Sequence, residues 1–149
     1  MGRRSVAVAL TTAAVAVGVS TGAAAPAQAA VRTQPVGQNC WGLSPHFVDI
    51  PLNGGATVRT DPRRPGSFSI WGVGKSFFSY TTDTWVTVLH FPTGHTETFH
   101  RRWQPSLDDL PGYRIDDLRA SGPIRVTMRS VTRGPVPRPP LICSGTAVA

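Results

Sequence analysis

The chain has 149 residues, a formal net charge of +7 and only two cysteines. That length suits one domain with a real core. Beyond the first thirty residues no apolar run could span a membrane, and the wide cysteine spacing excludes a C-x-x-C redox or zinc motif.

Residues 1–29 have the pattern of a secretion signal. Arg3 and Arg4 form a positive n-region, residues 6–19 an apolar run broken only by small residues, and Ala27-Gln28-Ala29 an A-x-A processing site. Cleavage is expected after Ala29, with Ala30 the close alternative. A membrane anchor fits less well, because the apolar run is short, rich in Gly, Ala and Thr, and ends in that site. Export implies a secreted, extracellular protein with no membrane segment after cleavage. Without Arg3 and Arg4 it carries thirteen basic against eight acidic residues. The cations are spread along the chain, which favours solubility and gives no specific nucleic-acid signal. Nearly all are Arg, and Ala, Gly and Pro abound, as the codon bias of a high-GC genome would dictate.

Residues 30–39 show no apolar period and are expected to form a flexible lead-in. From Cys40 onward the texture is that of strands and turns, short apolar runs separated by Gly, Pro, Asn and Asp. Strands are predicted over 47–50, stopped by Pro51 and Asn53-Gly54-Gly55, then over 56–60, and over 67–71, which alternates polar and apolar. Residues 75–80 follow as another. The clearest strand covers 85–91, rich in β-branched and aromatic types. Pro92-Thr93-Gly94 turns the chain, and 96–103 returns as its hairpin partner. Residues 106–110 suggest one helical turn, with Ser106 three residues before Asp109 in a weak capping pattern. Strands over 115–120 and 124–131 complete the set. The Pro-rich stretch 134–140 cannot pair as a central strand, so it should run extended across the domain and deliver Cys143 to Cys40. An even cysteine count in an exported chain argues for that disulfide, which closes a loop of about 100 residues. Seven or eight short strands at this spacing define an all-β, antiparallel sandwich or small barrel over residues 40–149.

Several groups could carry chemistry, each with a plainer role beside it. His90, His95 and His100 share one hairpin and could ligate a metal. A turn centred on Thr93-Gly94, however, sets His90 against Glu97 and His100 near Thr87, so no two are forced together and no metal site is expected. Asp108, Asp109, Asp116 and Asp117 form adjacent pairs that could bind calcium or act as acid and base. Neighbours in a strand point to opposite faces, so turn solvation and pairing with Arg114 or Arg119 are the better account. Motifs for a serine nucleophile, a metalloprotease, a phosphate loop or a dinucleotide are missing, so no catalytic residue and no cofactor is assigned. Trp71, Phe77, Phe78, Tyr80, Trp85, Phe91 and Trp103 are many for the size; core packing explains most, and Phe77-Phe78 must expose one ring if they lie on a strand. The Pro-stiffened loop with Arg59, Asp61, Arg63 and Arg64 is the candidate binding loop, because stiffness lowers the entropic cost of binding.

One stretch resembles a known family. Within residues 85–130, Val86-Thr87-Val88-Leu89 followed by Gly94 and Phe99 is similar to the opening strands of a βγ-crystallin motif. Asp116-Asp117-Leu118-Arg119 falls where that family has a Ser-Ser-Ile-Arg-like segment, and Ile124-Arg125-Val126-Thr127 would open the next motif. The resemblance, to secreted bacterial βγ-crystallin-like proteins, implies a Greek-key sandwich, and some such relatives bind calcium or inhibit enzymes. Gly112 and Tyr113 stand where calcium ligands would be needed, so none is carried over. Export, small size, one long-range disulfide and Pro-rigid loops point to a small secreted, non-catalytic binding protein, with an extracellular protein the favoured partner and inhibition of an extracellular enzyme one form that binding could take. The alternatives are an envelope- or carbohydrate-associated module that binds a cell-wall polymer, and a small hydrolase. Oligomeric state is not set by the sequence.

Overall fold

Alternation of inward and outward side chains is the rule that shapes this chain. In the computed structural model, which describes residues 30–108 and 111–149, ten strands form and no helix occurs among the described residues. They are β1 Arg32–Val36, β2 Trp41–Gly42, β3 Leu52–Asn53, β4 Ala56–Thr60, β5 Ser67–Gly72, β6 Thr81–His90, β7 Thr96–Trp103, β8 Tyr113–Arg119, β9 Pro123–Arg133 and β10 Leu141–Val148. The proposed signal segment, with Ala29, lies outside the described residues.

Two four-stranded antiparallel sheets result, in the orders β1-β4-β5-β8 and β10-β9-β6-β7, with β2 and β3 as a separate ribbon. β5 pairs with β8 and β6 with β9 although two strands intervene in each case. Those are two overlapping Greek-key connections that carry the chain between the sheets. Val58, Ile70 and Ile115 from one sheet meet Val86, Val88, Val126 and Met128 from the other, all essentially sealed from solvent. Each such side chain contributes about 1.5–3 kcal/mol by burial. Trp103 closes one end of this core, packed on Tyr113 at 5.6 Å and donating from Nε1 to Thr84 Oγ1 at 2.9 Å. Thr84 Oγ1 also shares a 2.9 Å hydrogen bond with Ser130 Oγ, so these buried hydroxyls are satisfied.

The predicted disulfide is present. Cys40 and Cys143 are bonded, with Cα atoms 5.7 Å apart. The expected flexible lead-in at residues 30–39 is corrected, because it contains β1, paired with β4 from Arg32↔Thr60 to Val36↔Ala56. Only Val36 of that strand is buried, which is why no apolar period showed, and Pro35 is tolerated because β1 is an edge. The Gln34 side chain reaches across to β10, donating to Val148 O at 2.7 Å and accepting from Val148 N at 2.9 Å. The strands predicted over 47–50 and 75–80 are loops instead, and residues 107–108 form a bend, with Asp109 and Leu110 outside the described residues. Beyond the Pro-rich stretch the chain does more than deliver Cys143. β10 pairs with β9 over eight residues.

Candidate functional site

Loops gather at two opposite ends of the sandwich. At one end lie the β4–β5, β6–β7 and β8–β9 turns with the C-terminal residue, linked by Ala120 N to Gly66 O and by paired bonds between Gly122 and Ala149. At the other lie residues 43–51, 73–80 and the Pro-rich stretch 134–140, which docks through Val136 N to Pro45 O and Arg138 Nε to Ser44 O.

The second end has an unusual construction. Asp49 sits between two loops and accepts from four donors, Ser44 Oγ at 2.6 Å, Ser76 Oγ at 2.6 Å, Phe77 N at 2.9 Å and Ile50 N at 2.7 Å. Burial pushes this carboxyl up, but the four hydrogen bonds outweigh it and hold it below the usual carboxylate range. Around this clasp the apolar side chains point outward. Phe47 is 88% exposed, Val48 82% and Phe77 65%. Phe78 is backed by the His46 ring at 4.9 Å. Beside them a hollow of about 250 Å³ is lined by Trp41, Leu43, Leu52, Pro139, Pro140 and Leu141. Arg138 lines it too and, through Ser44, joins hollow and clasp.

The candidate loop from the sequence stands at the opposite end. Asp61 forms its turn, accepting from Arg63 N through Oδ1 at 2.9 Å and from Arg64 N through its carbonyl at 2.8 Å. Arg64 ion-pairs with Asp117 at 2.7 Å, both exposed. Arg59 does not project from the loop. It lies on β4 with its guanidinium 3.8 Å above the centroid of Trp71, whose ring Arg114 also approaches at 4.6 Å. Arg59, Asp61 and Arg64 thus share a polar groove with Arg114, Asp116 and Asp117, while Arg63 stands apart in solvent.

The hairpin register differs from the one predicted. Trp85 faces His100 and Val88 faces Glu97. His100 stacks on Trp85 at 4.8 Å and reaches Asp83 Oδ1 at 2.9 Å, and His90 and His95 come to 5.7 Å between rings. Among the described residues no three His, Cys, Asp or Glu side chains gather where they could hold a metal. Asp116 pairs with Arg114 at 2.6 Å, as anticipated, while Asp117 adopts φ of 56° and pairs with Arg64. Phe77 and Phe78 do not split across a strand. Both are exposed on the loop.

Asp83 escaped the sequence reasoning. Its side chain is 1% exposed although it faces outward from β6, because Arg102 Nε at 2.9 Å, Arg133 Nε at 2.8 Å and His100 cover it. The two guanidiniums hold its carboxyl far below the usual range despite burial. Asp49 escaped too. The signal was an acid inside each of two segments otherwise rich in strand-forming residues, a placement that requires partners.

The chain matches no protein-family model, no curated protein sequence and no solved structure.

Proposed function

We propose that the chain is exported, loses residues 1–29, and serves as a non-catalytic domain that grips an extracellular protein through the Asp49-braced tip. The observation that carries this is the pairing of outward Phe47, Val48 and Phe77 with a clasp that fixes both of their loops. Apolar side chains grouped in solvent on one surface mark a site of interaction. Rigid aromatic anchors are also the side chains that dominate protein interfaces. The apolar hollow next to the tip offers a seat for a partner's own side chain, so knob and hole occur together. The disulfide accords with an oxidising compartment. Blocking an extracellular enzyme is the form of this activity that a pre-organised tip suits best.

The oxidised protein, immobilised and exposed to its producer's culture fluid, should retain one protein stoichiometrically. Phe47→Ser and Phe77→Ser should each weaken that complex by roughly 30-fold, the scale of an interface anchor. Arg63→Gln at the far end should not. Capture that survives both tip substitutions, or binding of the tip to lipid vesicles in place of protein, would overturn the proposal.

A further inference from the structure

The outer face of the β10-β9-β6-β7 sheet has no part in the tip. Its side chains follow from the register. Along β9 stand Arg125, Thr127, Arg129, Val131 and Arg133, and Ile124, Val126, Met128 and Ser130 point into the core. Opposite them on β6 are Leu89, Thr87, Trp85, Asp83 and Thr81, and on β7 Thr96, Thr98, His100 and Arg102. Four guanidiniums therefore share one face with a single carboxylate. That carboxylate, Asp83, lies beneath Arg102 and Arg133, whose side chains are still 63% and 65% exposed.

Arg125 and Arg129 have no carboxylate within ion-pair reach among the described residues. Each rests on a ring instead, Arg125 at 5.5 Å from Phe91 and Arg129 at 5.3 Å from Trp85. Between their two rungs lies a row of hydroxyls, Thr98, Thr87, Thr127 and Ser144, in which Thr87 and Thr98 are 3.0 Å apart. From Arg125 to Arg133 the cations extend over about 26 Å, eight residues at the strand rise. That is the footprint of an extended chain of charges, too long for one small anion.

We propose that this face binds a linear polyanion, a phosphodiester polymer without bases such as poly(glycerol phosphate). The four guanidiniums would neutralise phosphates and the hydroxyl row would donate hydrogen bonds between them. Trp85 decides against nucleic acid. Single-stranded nucleic acids are held by bases stacking on open rings. His100 covers Trp85 from the β7 side at 4.8 Å and Arg129 caps it from the β9 side. The central ring of the face is thereby closed to a base, and the one other ring, Phe91, stands at its edge beneath Arg125.

The test is titration of the oxidised protein with purified poly(glycerol phosphate) across a salt series. Binding should weaken with salt, with a log–log slope of about −0.7 per phosphate contacted. The double variant Arg125→Gln/Arg129→Gln should bind roughly 30-fold more weakly and flatten the slope by about 1.4. Neither side chain holds the fold, and unchanged circular dichroism verifies that. A charge-matched control, Arg59→Gln/Arg63→Gln on the other sheet and its turn, should leave affinity and slope nearly unchanged. Asp83→Asn, measured well below its melting temperature, should bind roughly fivefold more tightly by unmasking Arg102 and Arg133. Equal losses in the two double variants would mean diffuse net charge and overturn the site. Single-stranded DNA binding more tightly than the polymer would overturn the ligand class. Phe47→Ser should not affect this titration, so the tip and the face fail or stand separately.

Discussion

Asp83 is the residue on which the outer face is built. A carboxylate in mid-strand, opposite Val131 on one side and Arg102 on the other, is stable only because three neighbours cover and bond it. Its pKa is lowered in the folded state, so the stability it contributes is complete above the ordinary carboxylate value of about 4 and is lost as pH falls below it. Asp83→Asn keeps the shape and removes the charge. The variant is expected to lose about 1–2 kcal/mol at neutral pH, the scale of charge-assisted hydrogen bonds to two guanidiniums that remain more than half exposed. Its thermal melting curve should also shift less than the wild type's between pH 5 and pH 3. If both proteins lose stability in parallel over that interval, Asp83 is not the group that titrates. Asp49 uses the same physics for another end. Its four donors set the spacing of two loops, and they do so without any regular secondary structure.

β5 and β8 show what a strand pair demands beyond alternation. Tyr113 folds its ring flat against Gly72, its partner in the register, and a Cβ at that glycine would collide with the ring. Gly72→Ala should therefore cost about 1–3 kcal/mol, as overpacking does, because Tyr113 is wedged against Trp103 and cannot swing away. A chemical-denaturation midpoint equal to the wild type's would refute this. The same elements mark how far local pattern carries. β5 was legible because it buries one face, so its polar and apolar residues alternate, and β6 was legible from Trp85 onward by its β-branched and aromatic content, whereas its opening run Thr81-Thr82-Asp83-Thr84 was not. β1 was not, because an edge strand with one buried side chain leaves almost no period. Residues 47–50 read as a strand by composition, yet Asp49 takes the backbone N–H of Ile50 for its own carboxylate, a local bond that competes with any ladder. The groove of Arg59, Asp61 and Arg64 was visible in the sequence as a stiff basic loop. The apolar tip was not, since exposure of Phe47 and Phe77 depends on loops 28 residues apart in sequence at their Asp49–Phe77 bond.

The molecule as a whole is held at its chain ends. β10 adds to the β9 edge, Gln34 of β1 bonds Val148 of β10, and the disulfide fastens Cys40 to Cys143 across 103 positions. The sequence carried the bridge through cysteine count and compartment alone, whereas the long pairing of β10 lay hidden behind the Pro-rich stretch. Because Greek-key connections pair β5 with β8 and β6 with β9, most native contacts are distant in sequence, and the unfolded chain gives up much entropy to make them. A bridge between the ends removes part of that entropy from the unfolded state beforehand. For a loop of this length the chain-entropy model gives up to about 4.7 kcal/mol, a large share of the about 5–15 kcal/mol that a domain has in total. Loss of the bridge also acts locally, since Cys143 lies in the core and Gly54 packs directly on its sulfur. The Cys40→Ser/Cys143→Ser protein is therefore expected to melt at least about 10 °C below the oxidised wild type. The loss should be felt first at the β2–β3 ribbon, where Gly54 N bonds Cys40 O. Hydrogen exchange separates the two contributions. Faster exchange confined to residues 40–54 and β10 would assign the bridge a local role, and uniformly faster exchange across both sheets, which the entropic account requires, would assign it the global one.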